Sequence, residues 1–253
     1  MNGLPSVKPP GGIGNRLLAA LPLSDLNLLG PELETVALDP DAVLSRAGDP
    51  IEHVFFPHSG AISLMIDMAD GQTVATAAVG REGAVGILSV LGPSPSDITA
   101  IVRAAGTASR IPAPRFHDAF NRSPAIRYMI QCHVRAMQVQ LQRSGACNAL
   151  HQAEARMARW LLHIRDCIDD DVLPLTQEAL SQILGVRRTT VTLLMRNLRA
   201  RGAIRSEQRG KIEIDRSRLG AAACECHGTM RLEVEEIFSK NAARSRIFSL
   251  STQ

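Results

Sequence analysis

The sequence predicts an α+β fold in three parts: an N-terminal β-barrel or jelly roll, one long helix, and a C-terminal winged helix-turn-helix. Three observations predict it. Between residues 32 and 114, short β-type runs are broken by turn signals at the spacing of a sandwich or barrel. Beyond Asn121 the apolar period becomes helical and stays so to about Cys147. Residues 175–204 then read as two short amphipathic helices about one glycine. The expected boundaries are a flexible tail at 1–15, the barrel at 16–122, the long helix and a hinge at 123–150, and the winged unit with a C-terminal helix at 151–253.

Each part has a local reason. The opening MNGLPSVKPPGGIGNR is rich in Pro and Gly and has no periodicity, so it reads as a tail, followed by a short helix over 16–29 that packs Leu17, Leu18, Leu21 and Leu26. The strand-like runs are ETVAL, HVFFP, AISLMID, QTVATAAVG, AIVRAAG and ASRIP, and Asp70-Gly71 between two of them predicts a type I′ hairpin. Ser123 can cap a helix whose first position is Pro124. Along that helix Ile130, Val134, Met137 and Leu141 form one apolar stripe, while Met129, Cys132, Ala136 and Val139 form another. Two apolar faces need two partners: the barrel for one and the same helix of a second copy for the other, or burial of both within one chain. Met157, Trp160, Leu161, Ile164 and Ile168 mark a further amphipathic helix that stops at Asp169-Asp170-Asp171.

The segment LTQEALSQILGVRRTTVTLLMRNLRARGAI carries the functional signal. Thr176 is an N-cap, Leu180, Ile183 and Leu184 face inward, and Gly185 supplies the left-handed residue that ends the first helix. In the second helix Val191, Leu194 and Leu198 face inward, leaving Arg188, Thr192 and Arg196 on one outward line with Thr189 and Arg199 beside it. Arginine donates a pair of bonds to the major-groove edge of guanine, threonine bonds a base edge or a phosphate, and Leu193 can meet a thymine methyl. Lysine lacks the fork. Two short strands around Arg209-Gly210 make a wing whose Arg209 and Lys211 reach phosphates. The candidate DNA-binding residues are therefore Thr176, Arg187, Arg188, Thr189, Thr190, Thr192, Arg196, Arg199, Arg209 and Lys211.

Charge distribution agrees. The 253 residues carry a net charge of only +3, with 45% hydrophobic, 21% charged and 3% aromatic residues, a soluble globular composition. Residues before Asn148 hold 11 basic and 12 acidic groups, whereas 187–218 hold ten basic and three acidic, a local +7. Few rings are available to stack on unpaired bases, so double-stranded DNA is the expected partner. No stretch is long and apolar enough to span a bilayer and no signal sequence is visible, so a cytoplasmic location is expected and no membrane.

Other chemistry finds little support. The chain has no G-x-S-x-G, no G-x-x-x-x-G-K-[ST] and no H-E-x-x-H, so it is not expected to be an enzyme. Its five cysteines are expected as buried thiols without disulfides. If Cys224-Glu225-Cys226-His227 is helical, Cys224 and Cys226 point apart and only Cys224 with His227 converges; His163 and Cys167 make another half-site. Neither completes a ligand set, so no metal and no cofactor is expected.

The order barrel, long helix, winged helix-turn-helix resembles the Crp/Fnr superfamily of bacterial transcription regulators, over residues 17–218 and most strongly over LTQEALSQILGVRRTTVTLLMRNL. The resemblance implies a cyclic-nucleotide-binding-like sensor domain, a homodimer paired through the 124–147 helices by Ile130, Val134, Met137 and Leu141, a two-fold symmetric DNA site and contact with RNA polymerase. In the family pattern Arg188 is the arginine that reads guanine, Thr189 stands where many members carry Glu, Leu193 where many carry a second Arg, and Arg187 replaces a Ser-type cap. The family's usual half-site is therefore not expected. Cyclic-nucleotide-binding members hold ribose with Gly-Glu and phosphate with an Arg followed by Ser or Thr and Ala; the matching stretches here are Val85-Gly86-Ile87 and Ile98-Thr99-Ala100. Tight binding of cyclic AMP or cyclic GMP is not expected. No cysteine precedes Cys132, so an iron–sulfur cluster of the family's N-terminal type is not expected either. The effector is unassigned; a different small molecule, or redox or metal sensing through Cys132, Cys147 or Cys224 and Cys226, are the alternatives.

Overall fold

The computed structural model describes residues 14–92, 95–208 and 210–250. The chain opens with α1 (Arg16–Ala19) and α2 (Leu23–Leu29), two helices where one was expected, because Pro22 lacks the N–H a continuous helix needs. Residues 1–13 of the expected tail lie outside the described residues. Asn15, placed at its end, is instead buried and fixed: its amide donates to the carbonyls of Pro57 (2.9 Å) and Gly83 (2.8 Å), and its Oδ1 accepts from the Leu17 and Leu18 N–H groups.

Seven strands follow: β1 (Glu34–Leu38), β2 (Val43–Ser45), β3 (His53–Pro57), β4 (Ala61–Asp67), β5 (Thr73–Val79), β6 (Thr99–Ala104) and β7 (Gly106–Pro112). They form two sheets, β1-β7-β3 and β2-β6-β4-β5, so the jelly roll is a two-sheet sandwich rather than a closed barrel. The chain changes sheets four times, and two of the corners, between β3 and β4 and between β6 and β7, lie side by side. Glycine is required there: a Cβ on Gly106 would sit 2.3 Å from the Ser59 carbonyl, and one on Gly60 2.7 Å from that of Ala104. The β4–β5 hairpin is present, but its turn is not type I′. Met68 to Gly71 close by a Gly71 N–H bond to the Met68 carbonyl (2.9 Å), only Gly71 of the predicted pair has positive φ, and the loop is a turn followed by a left-handed glycine.

The helical half begins with α3 (Ala113–Arg122) and α4 (Pro124–Leu150), the latter capped by Ser123 Oγ accepting the Ile126 N–H at 3.0 Å. It continues with α5 (Ala153–Ile168), β8 (Val172–Leu173), α6 (Gln177–Leu184), α7 (Arg188–Ala200), β9 (Ile204–Gln208), β10 (Lys211–Ile214), α8 (Arg216–Ala222) and α9 (Cys226–Leu250). Strands β8, β10 and β9 make the small antiparallel sheet of the wing.

Strand alternation stacks these pieces in layers. Between the sheets lie Leu38, Phe55, Ile62, Leu64, Val79 and Val102. Val54 and Phe56 point the other way, into a cluster with Leu17, Phe116, Ile126 and Ile130 from the helices. On the opposite sheet Ala61, Met65, Ala75 and Ala78 point outward into the core of the winged unit, against residues such as Trp160, Leu161 and Leu184. The order is helices, sheet, sheet, winged helix.

The residues of the expected pairing face differ in how much surface this packing leaves them. Ile130 is 1% exposed inside its own subunit's core, Val134 and Met137 are half-buried against the sandwich, and only Leu141, 45% exposed, remains open. Ile130 has no surface to give to a second copy. The other stripe is not left for a partner either, since α9 of the same chain runs antiparallel beside α4, tied by Arg143 to Glu233 (2.5 Å). The remaining open line on α4 is Gln131, Arg135, Gln138, Leu141, Gln142 and Gly145.

Candidate DNA-binding interface

Thr176 caps α6 by accepting the Ala179 N–H at 3.1 Å, and Gly185, at φ +63°, ends it by donating to the Ser181 carbonyl. Apolar Ala179, Leu180, Ile183 and Leu184 bury one face of α6 against Val191, Leu194, Met195 and Leu198 of α7. The helix-turn-helix thus follows from two amphipathic faces and one left-handed glycine.

Helix α7 starts at Arg188 with Arg187 at the cap position in extended conformation and no side chain capping it. The Arg187 carbonyl accepts from Thr190 and Val191, so the N–H groups of Arg188 and Thr189 have no acceptor within the helix and open outward. An open helix end of this kind, with its positive dipole pole, suits a phosphate oxygen. Arg187, Arg188, Thr189, Thr192, Leu193, Arg196 and Arg199 are all exposed, and Thr190 is half-buried. Lys211 is exposed at the start of β10, beside the wing turn at Gly210 that approaches Thr176; Arg209 lies outside the described residues.

The basic residues divide into two sets. Arg199 pairs with Glu207 (2.9 Å), Arg201 with Glu154 (3.3 Å), Arg205 with Asp215 (2.9 Å) and Arg216 with Asp166 (3.9 Å). The Arg218 N–H and the Arg205 guanidinium hold the Asp215 carboxyl below its ordinary range. Arg187, Arg188, Arg196 and Lys211 meet no acidic partner among the described residues. Thr192 is also engaged: its hydroxyl donates to Gln177 Oε1 (2.9 Å), and Gln177 Nε2 donates to Glu207 (2.8 Å). Thr192 and Arg199 therefore belong to a network that fixes α7 against α6 and the wing, while the uncommitted cations sit at the open end and along the outer line. Gln177 and Glu207, which hold this network, are invisible to helical periodicity because their partners come from other elements.

The sandwich touches this unit directly. Arg103 of β6 is 5% exposed and spans the layers, bonding Gln182 of α6 at 2.9 Å and pairing with Asp41 at 3.5 Å. Burial lowers the Arg103 pKa, and Asp41 opposes that. In the sensor itself Thr99 donates to Asp67 (2.8 Å) and accepts from the Ala47 N–H (3.1 Å), so the hydroxyl beside Ile98 is already committed and has a carboxylate next to it.

The cysteine readings change with the geometry. All five thiols are buried, as expected. The chain is not helical at Cys224: α8 ends at Ala222 and α9 begins at Cys226, so the helical argument that set Cys224 and Cys226 apart does not apply. His227 bonds Asp166 (2.9 Å) rather than Cys224. Instead Cys147, His151, Cys224 and Cys226 come together, with donor atoms within 4.8 Å of one another, and His163 with Cys167 is joined by Glu82.

Comparison with known proteins gives a consistent picture. Residues 35–123 match the Cyclic nucleotide-binding domain family, and residues 155–222 match the Crp-like helix-turn-helix domain family. No curated protein matches the chain. Among solved structures it is similar to CLP of Xanthomonas campestris, a c-di-GMP responsive global regulator, at 16% identity and TM-score 0.63 over 76% of this chain and 99% of that one. FixK2 from Bradyrhizobium japonicum is similar at 16% identity and TM-score 0.63, covering 76% and 98%. TTHA1359, a CRP/FNR-family transcriptional regulator from Thermus thermophilus, is similar at 23% identity and TM-score 0.62, covering 75% and 98%. No helix among the described residues is long and apolar enough to cross a membrane.

Proposed function

Because the chain belongs to the Crp/Fnr superfamily, joining a cyclic nucleotide-binding-type domain to a Crp-like helix-turn-helix domain, we propose that it is a sequence-specific DNA-binding transcription regulator acting as a homodimer on a two-fold symmetric site. The observation that carries the reading is the open N-terminal end of α7, where Arg188 and Thr189 are exposed, and the outer line that continues to Arg196, with no acid of the described chain neutralising either arginine. Arg188 and Arg196 read base edges; Arg187, Lys211 and Arg209 hold phosphates; Thr176 and Thr190 lie at the flanks. Thr192 and Arg199 orient α7 through Gln177 and Glu207. The dimer pairs along the open line of α4 at Gln138, Leu141 and Gly145, and from its site it contacts RNA polymerase, as the family resemblance implies. The protein acts by binding rather than by catalysis.

In this reading the sensor does not hold cyclic AMP or cyclic GMP tightly. Ile98 offers no charge to a phosphate, and the neighbouring Thr99 hydroxyl is paired with Asp67, whose carboxylate repels one. Isothermal calorimetry tests this part, and a micromolar dissociation constant for either nucleotide contradicts it. Selection from randomised duplexes tests the DNA reading: enrichment of an inverted repeat is the expected result, and enrichment of no sequence over bulk duplex contradicts it.

A further inference from the structure

The junction between α4 and α9 gathers four metal-ligand side chains from two separate places in the chain. Cys147 lies in the last turn of α4, His151 immediately follows that helix, Cys224 lies in the break between α8 and α9, and Cys226 is the first residue of α9. The Cys147 and Cys224 sulfurs are 3.5 Å apart, and the Cys226 sulfur is 3.6 Å from Nδ1 of His151. All four donor atoms lie within 4.8 Å of one another. A tetrahedron of sulfur ligands at the usual zinc–sulfur bond length has edges of about 3.8 Å, shorter where a nitrogen replaces a sulfur. The spacing between these atoms is that of a ligand shell.

Two neighbours complete the environment. The other imidazole nitrogen of His151, Nε2, faces the Glu225 carboxylate at 3.2 Å, the outer-shell arrangement that fixes the tautomer and orientation of a metal-bound histidine. Arg159 is 2% exposed, its Nε and Nη2 find no hydrogen-bond partner, and it lies within electrostatic reach of Cys147. A dication held by three thiolates and a neutral imidazole carries one net negative charge. The buried guanidinium supplies the matching positive charge.

We propose that Cys147, His151, Cys224 and Cys226 form a closed, four-coordinate structural zinc site that fastens the end of α4 to the start of α9. Thiolate-rich, tetrahedral sites select zinc among the common divalent ions, and four protein ligands leave no open position for substrate water. On binding, each of the three thiols gives its proton to solvent and no electron moves. The position gives the site a consequence: it locks the C-terminal helix along α4 at the point where the sensor half passes into the DNA-binding half.

The test is the metal and thiol content of the full chain purified under reducing conditions without chelators. About one zinc per chain is expected, with Cys224→Ser and Cys226→Ser each losing most of it, while Cys132→Ser and Cys167→Ser keep it. Glu225→Gln is expected to weaken zinc retention against a competing chelator by roughly 10- to 100-fold. Should the cysteine variants not fold, cobalt loaded into the native chain answers the same question through thiolate-to-metal charge transfer and tetrahedral d–d bands. A chain that takes up neither ion with all five thiols reactive, a Cys147–Cys224 disulfide in the purified protein, or equal loss from every cysteine variant overturns the site.

Discussion

Arg188 stands at the first position of α7 with no acidic neighbour, whereas Arg199, three turns on along nearly the same face, is spent on Glu207. The two arginines look equivalent in the sequence, and they are not equivalent on the surface. Arg188→Ala is predicted to cost about 1 to 3 kcal/mol of specific DNA binding and to relax preference at one base pair of each half-site, with Arg188→Lys restoring little because a single ammonium cannot grip both guanine acceptors. Mobility-shift titrations against matched and mutated duplexes measure both effects; unchanged specificity in the alanine variant contradicts the assignment. A second residue-scale prediction concerns His133, buried in α4, where burial outweighs a hydrogen bond with the Ala84 backbone and lowers its pKa to about 4. The folded chain keeps this ring neutral, while the unfolded chain protonates it near the ordinary value. Its contribution is therefore full above about pH 6.5 and is lost as pH falls toward 4, a loss on the order of 2 kcal/mol between pH 7 and pH 5. His58 and His163 are shifted the same way, also by burial. Denaturant melts at the two pH values check it: His133→Gln is predicted to flatten the dependence, and an unaltered slope rules His133 out as a contributor.

At the scale of elements, what could be read from sequence depended on whether the partner was local. Strands β1, β3 and β4 were legible residue for residue because alternation and flanking turns are local properties. Helix α3 was not, since its Phe116, Ala119 and Phe120 follow a strand directly and Pro114 reads as a stop although it occupies the first turn. The break at 223–225 was hidden for the opposite reason: Leu219, Ala222, Ala223, Cys226 and Met230 continue a helical spacing, and no Gly or Pro marks the interruption. That one misread joint concealed the convergence of Cys224 and Cys226 with residues 77 and 75 positions earlier. The two stripes of α4 were legible as stripes, but periodicity cannot name what covers them, and α9 and the sandwich took most of what a second subunit was expected to take. The open line that remains makes its own prediction. Leu141→Glu is expected to shift the dimer toward monomer in sedimentation velocity without lowering the melting temperature of the monomer; a dimer unaffected by the change places the pairing surface elsewhere.

The whole molecule is a stack in which the sensor sheet β2-β6-β4-β5 lies against the winged unit through Ala61, Met65 and Ala75, with Arg103 reaching Gln182 on the first helix of the DNA reader. A change in the sandwich therefore has a short mechanical route to α6. Arg103→Ala is predicted to alter DNA affinity several-fold while leaving the thermal midpoint of the winged unit in place, because it removes a contact between layers and none within the reader; identical affinity shows that this contact does not couple the two. Charge, too, is legible only at this scale. The sequence places +7 between 187 and 218, yet four of those arginines are paired inside the subunit, so the outward field comes from a smaller set that includes Arg187, Arg188, Arg196 and Lys211. Lys211→Ala is accordingly predicted to weaken binding evenly across sequences and to reduce the salt slope by about 1 per subunit, read from the logarithm of the binding constant against that of salt concentration. Hydroxyl-radical footprinting on a selected duplex tests the central claim most directly. A two-fold related pair of recognition helices predicts two protected patches about one helical turn apart, symmetric about a dyad and both lost in Arg188→Ala; a single unsymmetrical patch, or protection that ignores sequence, contradicts it.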